Sequence, residues 1–527
     1  IGTENGGLIV KDLTTNQEKK YSKDPTGKML SGNSIWSIYE DNRGFVWLGL
    51  FNSGLMKVDP NGKRFKHLKS NPLLPNTISN DMVTSFAEID KENFWVGTDG
   101  GGVYQWNLTN DTFQKYGDFE KNGIKEEVLS MLLDSDGNLW VGFWKGGVRV
   151  LKKGETDFKK ISYRDEPQFD DGGIFYMMED HDGNLWFSVH KQGLYKYRPN
   201  SQTLEKFLFD PLNPDGLSTS ELNSIFEDSQ HNIWVGTATV GVNILEKTQM
   251  GYQLSKYSRT SEPGAISGSK VNCIFEDSDQ NIWVGTESKL NLFDRTSKTF
   301  RSFGVVDGMP NESVRGILED DQRNLWISTR KGITKLDRSS LSFSNFNAYD
   351  GLQSNEFIRN ACLKTSEGLM LFGGINGFNV FDPDEIKNNT YQPPVYFTDF
   401  KLSNVSLDPQ PESPLTTDIS IAKDIYLSHD QNDFSIEFSL ISFSQSRRNT
   451  FAYQLENYDK SWREIGNRRS AHYTHIPPGD YVFKVKATNG DGIWSNKIAS
   501  VNVHIARAWY HSYLAYAVYV LVLGTLL

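Results

Sequence analysis

The chain runs to 527 residues, well beyond the roughly 100–200 of one domain, and its 13% aromatic content with 45 Gly suits packed sheets joined by many turns. Net charge is −11, with Lys and Arg scattered and not gathered into a stripe, which excludes a nucleic-acid-binding surface of the usual basic kind. Two Cys in this length neither require nor exclude an oxidising compartment.

In chain order, the text opens on IGTENGGLIV, the second half of a unit whose first half is missing; with no initiator Met, residue 1 reads as a cut inside a longer protein. Complete units come next. Their Trp falls at Trp47, Trp95, Trp140, Trp186, Trp234, Trp283 and Trp326, 43 to 49 residues apart, and an eighth copy, GLMLFGGINGF, puts Leu371 where Trp is expected. A fixed period of this length is the signature of a repeat architecture. Within each unit an apolar strand such as Ile35–Ile38 or Val271–Ile274 precedes an acidic turn, then comes the Trp strand, a Gly turn, a third strand (GGVYQWN, QGLYKYR) and a more polar fourth (TFQKY, TLEKF). Short β-rich runs between Gly/Asn/Asp turns, with no amphipathic helix among them, predict four antiparallel strands per unit. Such a sheet needs a neighbour on each face, and a β-propeller supplies one. The repeated Trp is then core, filling the space between blades, and Cys273 and Cys362 on inner strands read as buried free thiols.

The repeats stop near Asp384. Residues 391–506 read as alternating strands with hairpin turns at Pro477-Pro478-Gly479-Asp480 and Asn489-Gly490-Asp491-Gly492, the spacing of an immunoglobulin-like β-sandwich. Residues 508–527 include no charged side chain; Trp509, Tyr510, Tyr513, Tyr516 and Tyr519 form an interfacial aromatic belt, and the apolar run from Leu514 predicts the start of a transmembrane helix.

The repeated "NxIxxIxEDxxGNxWVGTxxGG", succeeded by a sandwich bearing Tyr453, Tyr473 and Tyr481 and then an aromatic-led apolar segment, resembles the periplasmic sensor region of bacterial hybrid two-component systems, in which regulator-propeller repeats precede a triple-Tyr domain. The resemblance implies an all-β chain: residues 1–75 as the last blades of a truncated first propeller, 76–388 as a seven-bladed propeller, then the sandwich and the start of the span. A single eight-bladed ring is the competing count. It further implies an inner-membrane protein of Gram-negative bacteria that binds oligosaccharides in the periplasm and drives a kinase, a receiver and a DNA-binding module controlling polysaccharide-use genes. A homodimer is expected, because signalling through a single span takes two chains. No cofactor and no direct nucleic-acid binding are expected of this segment. A membrane-tethered glycan-binding or glycan-degrading propeller is the alternative. The chain beyond Leu527 separates the two: a helical linker with a phosphoacceptor His box supports the sensor, and a short basic tail the tethered protein.

In such a blade, the loop joining strands two and three opens on the same face as the loop between blades, and there the sequence stops repeating itself. Those loops offer Phe51, Asp99, Trp144, Lys145, His190, Lys191, Glu287, Lys289, Arg330 and Lys331. A sugar takes flat apolar faces for its C–H surface and planar donors for its hydroxyls, and loops on a rigid scaffold are where binding residues concentrate. A second set lies one residue into each innermost strand: Trp36, Thr84, Leu129, Phe175, Asn223, Asn272 and Arg315, chemically varied beside the small residue next to it in most copies. By period-two alternation these share a face with the apolar residue two further on, so burial of some of them is expected.

Other signals fail. Asp134-Ser135-Asp136-Gly137-Asn138 and Asp180-His181-Asp182-Gly183-Asn184 begin like calcium loops but lack the acidic twelfth residue. They read as hairpin turns in which Asp and Asn cap their own backbone. No HxxxH or HExxH spacing and no nucleophile context occur. The Glu-Asp pair recurs in most units, and one active site per blade is implausible, so no catalysis is expected.

Overall fold

Each Trp unit does fold as an antiparallel sheet, and what holds the sheets is written in the acidic turn between the first two strands. The computed structural model describes residues 1–526 apart from 14–15, 24–29, 42–43, 59–64, 75, 118, 120–126, 164–166, 250, 387–391, 412, 442–448, 490–492, 509 and 511–512. It divides into two compact units, Ile1–Ile386 and Lys387–Leu527.

In the first unit, seven four-stranded sheets of described residues form a ring. Their innermost strands, which number blades 1 to 7, are Val83–Glu88, Val128–Leu133, Ile174–Glu179, Leu222–Glu227, Val271–Glu276, Val314–Glu319 and Phe357–Lys364. Each lies against the next, and the seventh returns to the first. The ring is therefore closed with seven blades. Its last blade takes its outer strand from Lys66–Leu68, paired antiparallel with Gly377–Phe381, so the ring begins before residue 76. The Trp unit at Trp47 stands outside it as a three-stranded sheet of Ile35–Glu40, Val46–Leu50 and Gly54–Val58, and Leu8–Lys11 pairs only with Glu18–Tyr21.

The indoles pack as expected in the ring. Trp95, Trp140, Trp186, Trp234, Trp283 and Trp326 are buried, each in a cluster with the next blade; Trp186, for example, meets Leu222, Ile225 and Val235. Leu371 takes the same place between blade 7 and blade 1, beside Val83 and Phe86. Burying an indole removes roughly 150–250 Å², several kcal/mol at about 25 cal/mol per Å². Trp47, in the separate sheet, is only half-buried.

The Glu-Asp dipeptide explains itself once the turns are seen. In blades 2 to 6, Asp134, Asp180, Asp228, Asp277 and Asp320 accept from the backbone N–H of the Asn four residues on and from the indole Nε1 six residues on, the latter at 2.7–2.9 Å. Burial alone would raise Asp180, Asp228 and Asp277; the indole and Asn donors outweigh it and hold these carboxyls below their usual range. The Glu reaches the preceding blade: Ser135 donates to Glu179, His181 to Glu227, Ser229 to Glu276, Ser278 to Glu319 and, across the closure, Ser366 to Glu88. Arg295 ties the two systems, donating to Asp228 at 2.9 Å and to Glu276 at 2.7 Å.

Gly in the "WVGT" strand is dictated by the next blade. A Cβ at Gly236 would stand 2.3 Å from Ser224 Oγ and 2.6 Å from a Val271 methyl, so no larger residue fits without moving the neighbouring inner strand.

The second unit is a two-sheet sandwich. One sheet orders Val405–Ser406, Val395–Leu402, Phe434–Leu440 and Ser470–Tyr473; the other orders Asp424–Leu427, Ala499–Ile505, Gly479–Ala487, Phe451–Glu456 and Arg463–Gly466. Tyr453, Tyr473 and Tyr481 are all buried in its core. Tyr473 donates to Asp459 and Tyr481 to the Pro477 carbonyl, so each of these two phenols keeps a partner in the apolar interior. Part of the expected turn at Asn489-Gly490-Asp491-Gly492 lies outside the described residues, as does Trp509. The C-terminal helix, Tyr513–Leu526, has 14 residues, about 21 Å at 1.5 Å per residue, against a bilayer core of about 30 Å. No helix among the described residues is long and apolar enough to cross a membrane.

Candidate functional site

A β-bulge aims the second candidate set. The register of the first two strands slips between Val83 and Ser85, Val128 and Ser130, Ile174 and Tyr176, Leu222 and Ser224, Val271 and Cys273, and Val314 and Gly316. The residues skipped are Thr84, Leu129, Phe175, Asn223, Asn272 and Arg315. A bulge leaves its extra residue unpaired and re-aims the side chain; of the six, Thr84, Asn223 and Asn272 are buried, as expected of some of the set, and Leu129, Phe175 and Arg315 are only half-buried. Trp36 occupies the same bulge in the separate sheet.

These side chains divide by what they touch. Thr84 donates to the Val128 carbonyl at 2.7 Å, Asn223 to that of Val271 at 3.0 Å and Asn272 to that of Val314 at 2.8 Å. Each staples its blade to the next. All three are buried, Asn272 completely, so their place is structural and they offer a ligand little or no surface.

Blade 7 carries the largest departure. Its inner strand takes five residues from Phe357 to Cys362 to match the two-residue step from Gly374 to Phe372, where blade 5 takes three, from Val271 to Ile274, against Thr286 to Val284. The extra residues, with Asn360 in a left-handed conformation at φ 57°, reach across the channel. Arg359 donates to Asn223 Oδ1 in blade 4 at 2.6 Å and its guanidinium lies 5.7 Å from the Phe175 ring of blade 3. Repeat-based reasoning misses Arg359, because the eighth copy lacks its Trp. The unusual length of its inner strand, read against the other copies, is the signal that reveals it.

From Phe175 the mouth continues outward through an aromatic trio. Trp144 and His190 lie 5.7 and 4.9 Å from Phe175, and 5.1 Å from each other, measured between ring centroids. Burial, reinforced by the Lys191 charge, lowers His190 below the usual imidazole range, so it presents a neutral ring at pH 7. Lys145 and Lys191 are exposed beside the trio. On the other side, Arg330 faces Glu356 at 3.9 Å, Glu287 and Lys331 are exposed and Lys289 is half-buried. Asp99, raised first by burial and then by Glu127, sits half-buried over blade 1. Trp36 and Phe51 stack on one another at 4.7 Å in the separate sheet, so they do not contribute to the mouth of this ring. The structure thus brings together Trp144, Phe175, His190, Asn223 and Arg359 through direct contacts.

Two other features draw on different residues. A polar trough on blade 1 is lined by Asn76, Asn93, Gln105, Asn107 and Thr112. At the turn end, His181, Glu227 and His231 could offer three ligand atoms within 4.8 Å of one another. Lys247 Nζ lies 3.0 Å from His181 Nε2 and 3.2 Å from Asp182, which sets a positive charge against the same ring. His181 stands where Ser serves elsewhere, so this set reads as a variant of the inter-blade clamp.

Comparison with known proteins reaches the same architecture. Five segments match the two component regulator propeller repeat, at residues 29–52, 122–145, 216–239, 265–288 and 308–331, and residues 442–506 match the Y_Y_Y domain. The extracellular domain of the putative hybrid two component system BT3049 from B. thetaiotaomicron superposes with a TM-score of 0.79 at 26% identity, covering 96% of this chain and 66% of that one. This chain therefore carries two component regulator propeller repeats followed by a Y_Y_Y domain. The extracellular domain of the putative one component system BT4673 of the same organism shares the fold, with a TM-score of 0.52 at 20% identity over 96% of this chain and 67% of that one. Histidine kinase P4 of Formosa agariphila is 28% identical over 499 residues, 94% of this chain. The chain spans 36% of that relative's length.

Proposed function

We propose that this sensor region faces the periplasm as part of a membrane-bound hybrid histidine kinase, and that it detects glycan fragments at the loop end of the seven-bladed ring. Ligand occupancy then adjusts transcription of polysaccharide-utilisation genes by phosphorelay. The similarity to histidine kinase P4 supports the signalling half. The observation that carries the ligand half is the channel mouth, where Trp144, Phe175 and His190 form an apolar, partly exposed trio beside the guanidinium of Arg359, which the buried Asn223 orients. Aromatic faces for C–H surface next to planar hydrogen-bonding groups is the combination a pyranose needs.

The exposed apolar side chains Val520, Leu521 and Leu523 of the C-terminal helix fit the first turns of a membrane span. Two chains side by side would let ligand-dependent packing of the ectodomains reach such helices. Calorimetric titration of the sensor region with defined plant and host oligosaccharides tests the reading. It predicts saturable binding of at least one glycan with the sugar recovered unchanged; depolymerisation, or no binding across the panel, would contradict it.

A further inference from the structure

At the mouth of the ring two guanidinium groups lack what buried charges normally have. Arg315, from the bulge of blade 6, is half-buried, and its Nε is buried without a hydrogen-bond partner. Arg359 crosses the channel from blade 7 with a neutral amide, Asn223 Oδ1, as its hydrogen-bond acceptor and Phe175 beneath it. Among the described residues neither has a carboxylate at ion-pair distance; the ion pair formed here belongs to Arg330 and Glu356. Burial first, and then the charge of the other arginines, depresses both guanidinium groups, Arg359 to about 10. The carboxylates acting on Arg315 are Glu356 and Glu287, both exposed.

The cations buried at the turn end are held differently. At the turn end Arg295 meets Asp228 and Glu276, Arg338 meets Asp277 and Glu319, and the buried Lys196 meets Asp180. Taking a charge from water without a partner is strongly unfavourable, and in a chain with net charge −11 carboxylates are not scarce. Two adjacent arginines left without one are a preformed oxyanion cradle, since each guanidinium presents a planar fork of donors that matches carboxylate or sulfate oxygens.

We propose that Arg315 and Arg359 bind the anionic group of an acidic sugar, a uronate carboxylate or a sulfate ester, whose ring lies over Phe175 toward Trp144 and His190. The inference rests on the glycan-sensing reading and narrows it to acidic glycans. Asn223 orients Arg359, and the Phe175 face supports the guanidinium from below by cation–π attraction.

The test uses the 527-residue chain and matched neutral, uronate-containing and sulfate-ester-bearing oligosaccharides in calorimetry, with inorganic sulfate as a sugar-free probe read by thermal shift. Binding of an acidic member, weakened at least tenfold by Arg315→Met or Arg359→Met and less by Arg315→Lys, is the expected result, and the uronate and sulfate arms tell the two sources apart. Because Arg315 has no partner to lose, Arg315→Met should melt no lower than the parent chain; a large fall in Tm would assign it a structural role and overturn the proposal. If neutral and acidic sugars bind alike and Arg315→Met leaves Kd unchanged, the acidic-sugar inference fails while glycan sensing stands. If no sugar binds but sulfate raises Tm in an Arg315-dependent way, the oxyanion cradle stands and glycan sensing fails. Absence of both responses overturns both.

Discussion

The two ends of the ring's inner strands obey opposite rules. At the turn end, Asp228 sits under an indole, an asparagine and an arginine, and the arrangement recurs from blade to blade. At the loop end, the bulge holds Thr84, Leu129, Phe175, Asn223, Asn272 and Arg315 in six otherwise matching blades. One end repeats because inter-blade geometry repeats; the other is free to differ from blade to blade, as the proposed binding of one asymmetric ligand requires. Where a side chain at the loop end is again uniform in use, as with the Thr84, Asn223 and Asn272 staples, it serves the ring.

The contrast breaks first at the turn end. Asp228→Ala leaves the Trp234 indole and the Arg295 guanidinium without their acceptor, and loss of one partner of a buried charged pair costs about 3–5 kcal/mol; the urea midpoint of the ring should fall accordingly while any sugar affinity survives. Acid probes the same end more gently. Asp180, Asp228 and Asp277 are depressed in the folded chain, so the stability they contribute is present above the unfolded carboxyl value of about 3.9 and is lost as pH falls through their folded values. Thermal midpoints should hold between about pH 5 and 7 as far as these groups are concerned and drop below about pH 4. A fall already complete at about pH 5 would mean the locks are not ionised.

At the loop end the expected effects move from stability to binding. Trp144 is 38% exposed, and Trp144→Ala should lower the unfolding free energy read by urea by less than about 1 kcal/mol while weakening oligosaccharide binding about thirtyfold, the scale of an aromatic hot spot at roughly 2 kcal/mol. The smallest effect sharpens the reading of His181. Replacing it by Ser restores the clamp used by Ser229 and Ser278 and should change stability by no more than about 0.5 kcal/mol. A loss of several kcal/mol, recovered on adding Zn²⁺ to the parent chain alone, would make the His181, Glu227 and His231 cluster a metal site after all.

The sequence is legible where short-range rules act. A Trp every 43 to 49 residues, turn residues and alternation suffice for the blades, the sandwich and the core role of the ring's indoles. The variety of the bulge position marks Phe175, Asn223 and Arg315, but which of them is buried is not legible, because a bulge depends on the register of two strands and not on one strand's pattern. Three features are out of reach of local pattern. The closing strand Lys66–Leu68 is recognised only by its partner, and 313 residues separate Lys66 from Asn379. Arg359 sits in an inner strand lengthened beyond the repeat, and its contacts with Asn223 and Phe175 form across the channel. The Glu-Asp turn displays its periodicity but not its purpose, since one of its two partners lies in the preceding blade.

Hydrogen–deuterium exchange with and without a bound oligosaccharide tests the division between the two ends most directly. The account predicts new protection in the backbone around Trp144, Phe175, Arg315 and Arg359, with the turns at Asp134–Asn138 and Asp228–Asn232 unchanged. Protection confined to those turns, with the loop end unaltered, would contradict it.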